Sequence, residues 1–242
     1  MPNPAARALA TQQSGAVVLA ISHHDSELFA DPFYAQIIAG VSTAVERTDL
    51  VLMLALADSD LGRARLERIL RSRRADGVML TGLHGDDPLY RLAGKVDLPV
   101  VYGGRPLNVE PAWYVDADNR GAPAWPPSTS SASGAAAMTR LLAARPDLDA
   151  VFAASDSMAA GVLRVLKAAG RSVPGDVAVV GFDDSPIARY THPPLTTVAQ
   201  PIKQLGWEMA KMIVSLIDGE QPGPLILPTR LVLRESSEPR LA

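Results

Sequence analysis

Residues 150–201 read AVFAASDSMAAGVLRVLKAAGRSVPGDVAVVGFDDSPIARYTHPPLTTVAQP, and this stretch decides the fold. The apolar run Ala150–Phe152 is followed by a segment of helical period, Met158–Ala169, and then by a second apolar run, Val177–Phe182. Gly170 directly after the helical segment is typical of a helix end. Because continuous apolar runs are typical of strands covered on both faces, the stretch predicts two parallel strands joined by a helix.

The same alternation continues in both directions from this stretch. Further strand-like runs are Val17–Ile21, Leu50–Leu56, Gly77–Leu80, Val100–Tyr102, Trp113–Asp118, a short run from Thr196, Leu225–Leu227 and Arg230–Leu233. Further segments of helical period are Phe33–Arg47, Leu61–Arg73, Leu89–Lys95, Ala135–Ala144 and Ile202–Leu216. Strands that alternate with helices predict an α/β fold built on parallel sheets.

Composition limits the classes of function. The chain has 242 residues, of which 48% are hydrophobic, with 23 Lys+Arg against 26 Asp+Glu and a net charge of -3. This balance argues against a surface devoted to nucleic acid, which usually needs a basic face. Cysteine is absent, which excludes disulfides and thiolate metal sites. Without an evident signal peptide or membrane span, we expect a soluble, cytoplasmic protein.

Several motifs of the chain resemble the sensor domain of the LacI/GalR family of transcriptional regulators. The family pattern has a strand ending in Asn/Ser-Asp, a helix starting Met-Ala, then VPxDVxVVGFDD and PPLTTVxQP, and all of these occur in order within 150–201. Upstream matches are DPFYAQIIAGV (31–41), RRADGVML (73–80), LPVVYGGRP (98–106) and VDADN (115–119), and LVLRES matches near the end. The resemblance covers nearly the whole chain.

The resemblance implies a periplasmic-binding-protein-like fold of type I, with two parallel-sheet subdomains and a ligand cleft. It implies a hinge-helix remnant or linker at 1–14 and an N-terminal subdomain formed by 15–119 plus 201–242. An irregular Pro/Ser linker would occupy 120–134, and a truncated C-terminal subdomain 135–200. The second subdomain is expected to be shortened, because the family places a helix, a strand, a helix and a strand where this chain has the linker.

Candidate ligand-binding residues follow the predicted strands, since ligands of open α/β sheets bind at the carboxyl ends of strands. By resemblance they are Ser22, Phe33, Tyr34, Asp58, Thr81, Arg105, Ser155, Asp183 and Gln200. The Asp183 carboxylate, which can accept hydroxyl hydrogens, is the foremost candidate, and Gln200 is the second. For the aromatic pair, a place in the hydrophobic core is an equal alternative for one of the two rings. Asp156 is expected to cap the following helix.

The amino terminus resembles the hinge helix of the family. In that role Leu9 would wedge into the minor groove of operator DNA beside Asn3, Ala6 and Arg7, and a disordered tail is the alternative. The family's helix-turn-helix headpiece has no counterpart here, so operator binding would depend on a headpiece or a functional hinge helix.

The expected partners are a small effector and a second copy of the chain. The effector is a sugar, a sugar phosphate or a nucleobase-like molecule, and the helices Phe33–Arg47 and Leu61–Arg73 are candidates for the homodimer contact. No cofactor, metal site or catalytic residue is implied. The predicted function is a ligand-responsive regulator, with a solute-binding protein of the same fold or a non-functional truncated regulator as alternatives.

Overall fold

The computed structural model describes residues 13–22, 32–83, 85–105, 111–119 and 130–238. The strands in these residues are β1 (Ala16–Ile21), β2 (Val51–Leu56), β3 (Gly77–Thr81), β4 (Val100–Gly103), β5 (Tyr114–Ala117), β6 (Ala150–Phe152), β7 (Ala178–Asp183), β8 (Thr196–Ala199), β9 (Leu225–Leu227) and β10 (Arg230–Val232). The helices are α1 (Pro32–Val45), α2 (Asp60–Arg71), α3 (Pro88–Ala93), α4 (Ser131–Ala144), α5 (Asp156–Ala168), α6 (Ile187–Tyr190) and α7 (Ile202–Ile217). The predicted α/β class is confirmed.

The chain forms two compact units, each made of two segments. Unit 1 contains Met1–Ala117 and Ile202–Leu227, and unit 2 contains Asp118–Pro201 and Pro228–Ala242. The sequence analysis placed all of 201–242 in the first subdomain. The structure divides that stretch after Leu227, because β10 pairs antiparallel with β8 of unit 2.

Unit 1 is built on a six-stranded parallel sheet with the order β2-β1-β3-β4-β5-β9. From β1 the chain forms β2 on one side of β1 and then β3 on the other. The strand order therefore reverses at β1, which is where open α/β sheets bind ligands. In the register Ile21 lies beside both Leu56 and Thr81, so these strands end at nearly the same level.

Helices cover both faces of this sheet. On one face, Ile37 and Val41 of α1 pack with Met209 and Ile213 of α7, while α2 and α3 contribute to the core on the other face. The α1–α7 crossing is close, because a Cβ at Gly40 would lie 2.0 Å from the carbonyl oxygen of Lys203.

Unit 2 is built on a four-stranded sheet with the order β10-β8-β7-β6. The strands β6, β7 and β8 are parallel. Helices α4 and α5 lie against each other, and Met138 of α4 and Leu166 of α5 are fully buried in the core of this unit. Strand β6 is at the edge of the sheet, and its Phe152 side chain is 47% exposed.

Helix α4 begins earlier than its sequence pattern predicts. Ser130 is its N-cap residue, and the Ser130 hydroxyl oxygen accepts a hydrogen bond of 3.2 Å from the backbone N–H of Ser133. Residues 131–134 are therefore helical and do not belong to an irregular linker. Residues 120–129 of the predicted linker lie outside the described part of the chain.

Candidate functional site

The carboxyl end of β1 carries a buried polar contact at the switch point of unit 1. The Ser22 hydroxyl donates a hydrogen bond of 2.5 Å to the Asp87 carboxylate, and the backbone N–H of Ser22 donates to the carbonyl of Thr81 at 3.1 Å. Asp87 is also the N-cap of α3, since its other carboxylate oxygen accepts from the backbone N–H of Leu89 at 2.8 Å. The structure thus brings the predicted residues Ser22 and Thr81 together, and Asp87 fixes the orientation of the Ser22 hydroxyl.

The aromatic pair lies at the start of α1, beside the same strand ends. Tyr34 is buried in the core of unit 1, whereas Phe33 is partly buried and meets the Tyr34 ring edge-on at 5.2 Å between centroids. A Cβ at Gly82 would lie 2.8 Å from the Tyr34 hydroxyl oxygen, so Tyr34 packs directly against the turn after β3. Core packing therefore accounts for Tyr34 and leaves part of the Phe33 ring accessible.

Arg105 and Asp58 follow two other strands of the sheet. The Nε atom of Arg105 is 3.9 Å from the buried Asp116 carboxylate, and its guanidinium carbon lies 5.9 Å from the centroid of the Tyr114 ring. Asp58 is exposed, and its backbone carbonyl accepts a hydrogen bond of 3.0 Å from Arg63. Arg105 thus lies within ion-pair distance of Asp116, and its side chain is 45% exposed.

Two stacked tyrosines lie near Asp87. The Tyr90 and Tyr102 rings are 5.9 Å apart between centroids with an interplanar angle of 27°. Burial raises the pKa of Tyr90 from 10.0 to about 12, and the negative charge of Asp87 acts in the same direction. Burial also raises the pKa of Tyr102. Both phenols therefore remain neutral at physiological pH.

The carboxyl edge of unit 2 brings the two foremost candidates into contact. Asp183 is the last residue of β7, and Gln200 directly follows β8. The Gln200 amide nitrogen donates a hydrogen bond of 2.6 Å to the Asp183 carboxylate. This contact fixes the amide orientation, so that its carbonyl oxygen points away from Asp183.

The backbone at the end of β7 adopts an unusual conformation. Asp183 and Asp184 have φ angles of 108° and 54°, in the region that favours glycine. Asp184 is held by the guanidinium of Arg234, which lies 2.5 Å from its carboxylate and also donates to the carbonyl of Leu195 at 2.8 Å. Asp184 therefore has a structural role in unit 2.

Ser155, and not Asp156 as the sequence predicts, is the N-cap residue of α5. The Ser155 hydroxyl oxygen caps α5 by accepting a hydrogen bond of 3.1 Å from the backbone N–H of Met158. Asp156, expected to be the cap, is instead fully buried, and it accepts hydrogen bonds from the Thr197 hydroxyl at 2.6 Å and the backbone N–H of Ser185 at 2.7 Å. Burial raises the pKa of Asp156, and the two hydrogen bonds partly oppose this effect.

Sequence reasoning missed Asp87 and the true role of Asp156. Asp87-Pro88 is the same signal, a capping Asp before a proline, that is present at Asp31-Pro32, so the cap at Asp87 could have been found. The contacts of Asp156 could not, because Thr197 is 41 positions away in the sequence.

Some predicted features lie outside the described residues. These include Asn3, Ala6, Arg7 and Leu9 of the hinge-like segment. Among residues 13–22, 32–83, 85–105, 111–119 and 130–238, no group of three His, Asp or Glu side chains could hold a metal ion. In the same part of the chain, no helix is both long and apolar enough to cross a membrane.

Two sheets with polar side chains at their carboxyl ends define a ligand-binding domain of the periplasmic-binding-protein type. A family profile described as "Periplasmic binding protein-like domain" matches residues 106–237. The HTH-type transcriptional regulator CelR of Thermobifida fusca is 39% identical over 98% of this chain and 85% of its own length. The chain therefore belongs to the LacI family of transcriptional regulators, which confirms the family resemblance of the sequence.

Solved structures agree with this assignment. A CelR–cellobiose complex superposes with a TM-score of 0.85 and 36% identity, covering 97% of this chain and 91% of that one. A Lac repressor dimer bound to operator and an anti-inducer has a TM-score of 0.77 at 20% identity, covering 98% and 99%, and shows the shared fold.

The alignment with CelR also reveals a difference in length. It runs over 289 positions, although the whole chain has 242 residues, so at least 47 aligned positions have no residue of this chain opposite them.

Proposed function

We propose that this chain binds a neutral sugar of the cellobiose type and that sugar binding controls its attachment to operator DNA. The observation that carries the proposal is the similarity to CelR over almost the entire chain, together with the cellobiose in the solved CelR complex. Asp183 and Gln200 in unit 2, and Ser22, Thr81, Phe33, Asp58 and Arg105 in unit 1, are the proposed contacts.

The chemistry of these strand ends favours a ligand rich in hydroxyl groups. The Ser22 proton is directed to Asp87, which leaves the Ser22 oxygen as an acceptor for a ligand hydroxyl. The Gln200 amide likewise gives a proton to Asp183, which leaves its carbonyl oxygen to accept. Sugar hydroxyls supply the matching protons. A phosphate group is largely deprotonated at neutral pH and is repelled by a carboxylate such as Asp183.

The regulatory part of the proposal needs a dimer, since operators recognised by this type of protein are paired half-sites. The edge strand β2 supports a self-complementary contact: Val51 is 62% exposed, and Leu54 and Leu56 are also exposed. An apolar edge strand of this kind tends to pair with another chain. We propose that β2 and the adjoining helices α1 and α2 form part of a homodimer interface. As a regulator of operator DNA, the chain would act in the cytoplasm.

Calorimetric titration of the purified chain tests the proposed ligand. Cellobiose is expected to bind, whereas glucose 6-phosphate and adenine, which represent the two other effector classes, are not. Asp183→Asn should weaken cellobiose binding about tenfold or more, because hydrogen bonds to charged groups contribute roughly 1.5–3 kcal/mol. Asp218→Asn is the matched control, since it makes the same change at an exposed carboxylate outside the proposed contacts.

Three results would contradict the proposal. One is tighter binding of glucose 6-phosphate or adenine than of cellobiose. Another is the same cellobiose affinity in Asp183→Asn as in the wild type. The third, absence of binding by any of the three compounds, would favour the truncated regulator without sensing activity that the sequence left open.

A further inference from the structure

The turn after β7 is held in place by side chains from three other segments of unit 2. Asp183, Asp184 and Ser185 form this turn, and its first two residues have positive φ angles. Non-glycine residues remain in such conformations only where surrounding contacts hold them there. Contacts with other segments must therefore prevent the turn from relaxing. If the turn relaxed, it would carry Asp183 away from its position.

Asp156 makes the central contact beneath the turn. Its carboxylate receives the backbone N–H of Ser185, the third residue of the turn, at 2.7 Å and the hydroxyl of Thr197 in β8 at 2.6 Å. One buried side chain thus connects the first residue of α5, the turn after β7 and the neighbouring strand β8.

The space for this carboxylate is created by a glycine in β7. A Cβ at Gly181 would lie 2.3 Å from a carboxylate oxygen of Asp156 and 2.7 Å from the Leu195 side chain. Any side chain at position 181 would displace the Asp156 carboxylate. The absence of a side chain at Gly181 therefore makes room for the buried Asp156 carboxylate.

Two further contacts secure the ends of the turn. Gln200 donates to Asp183, and Arg234 binds Asp184. Asp156, in contrast, is fully buried. Asp156 cannot touch a ligand from this position, so any influence it has on binding must act through the turn.

We propose that Asp156 is a positioning residue that presents the Asp183 carboxylate to the sugar. The proposal rests on the proposed function, because it assumes that Asp183 contacts the ligand. Asp156 would thus contribute to the affinity for the ligand. This role is distinct from capping α5, which Ser155 performs.

A double-mutant cycle with cellobiose as the probe tests the proposal on the full chain. Asp156→Ala should weaken binding about tenfold in the wild-type background but by no more than about twofold in the Asp183→Asn background, since effects transmitted through one residue are not additive. Asp156→Asn should retain most of the affinity. Its amide oxygen can accept from Ser185, and its amide nitrogen can donate to the Thr197 oxygen.

Amide hydrogen exchange supplies a readout that needs no ligand. The Ser185 amide should exchange faster in Asp156→Ala, whereas amides in the centre of α4 should not change. If Asp156→Ala proves too unstable to purify, Thr197→Val removes one hydrogen bond of Asp156 together with the 3.4 Å contact from the Asp184 N–H, and it should show the same pattern more weakly. Asp218→Asn, at an exposed position of unit 1, should match the wild type in both measurements.

The outcomes separate this proposal from the proposed function. If the wild type binds none of the probes, the proposed function fails. If the wild type binds cellobiose and Asp156→Ala binds it equally well, only the positioning role fails. Equal losses in both backgrounds would also overturn it, because they would indicate a general structural effect instead of one transmitted through Asp183.

Discussion

Replacing Gly161 by alanine tests whether α4 and α5 are joined by a close helix crossing. A Cβ at position 161 would lie 2.0 Å from the carbonyl oxygen of Ser131 and 2.8 Å from the backbone nitrogen of Ala135. Both are backbone atoms of α4, so no side-chain rotation can relieve the contact. Because non-bonded carbon atoms pack at about 3.5–4.0 Å, the two helices must separate by roughly 1 Å or more.

Two opposing effects set the magnitude for Gly161→Ala. Alanine is favoured over glycine inside a helix by about 1 kcal/mol. Overpacking costs about 1–3 kcal/mol, and occasionally more where the backbone itself must shift. Since the nearest atoms are all backbone, we expect a cost at or above the upper end of this range and a net loss near 2 kcal/mol. For a domain of about 100 residues, this lowers the melting temperature by roughly 8–16 °C.

Urea denaturation followed by circular dichroism, with calorimetry for the melting temperature, measures this effect. Gly94→Ala is the control. The nearest atom to a Cβ at position 94 is 3.7 Å away, and the change in stability should stay within about 0.5 kcal/mol. If Gly161→Ala unfolds at the same urea concentration as the wild type, the reasoning from the close crossing is refuted.

Three further predictions concern unit 1. Ser22→Ala should destabilise the fold by about 1–3 kcal/mol, because it removes a buried donor from the Asp87 carboxylate; an unchanged urea midpoint would contradict this. The pKa of Tyr90 is raised to about 12, so its protonated form stabilises the fold below pH 10, and this contribution is lost as the pH rises from 10 towards 12. Tyr90→Phe should remove that part of the alkaline loss, measured by urea midpoints across this range, and a profile that matches the wild type would show the assignment to be wrong. Leu54→Lys should convert a dimer to monomers in size-exclusion chromatography, as should Val51→Lys; dimers that persist in both would place the interface elsewhere.

The alternation of apolar runs with segments of helical period predicted most of the strands and helices of both sheets. Runs such as Val100–Tyr102 and Ala150–Phe152 are apolar on both faces, which is typical of parallel strands between helices. The strand β10 could not be assigned to its sheet in this way. Its pairing with β8 is decided by long-range register, and its exposed Leu231 gives no periodic signal.

The candidate site was predictable only as far as the strand-end rule reaches. The family resemblance named Asp183 and Gln200, the strand-end rule placed them at one edge, and the structure brings them into contact. The strand-end rule gives no information on the buried side chains that contact these residues. The roles of Asp87 and Asp156 depend on which loop lies beneath which strand end, and this depends on packing between segments that are far apart in the sequence.

Unit 1 consists of two segments that are separated in the sequence, so its parts are synthesised at different times. Its core is completed by α7, whose Leu205, Met209 and Ile213 pack against α1, and its sheet is completed by β9. On the ribosome, α1 emerges before either element, so the apolar face of α1 stays uncovered until α7 has been made. We therefore expect unit 1 to complete its folding only after α7 and β9 have been synthesised, long after its first segment. Until then we expect the nascent chain to depend on chaperones.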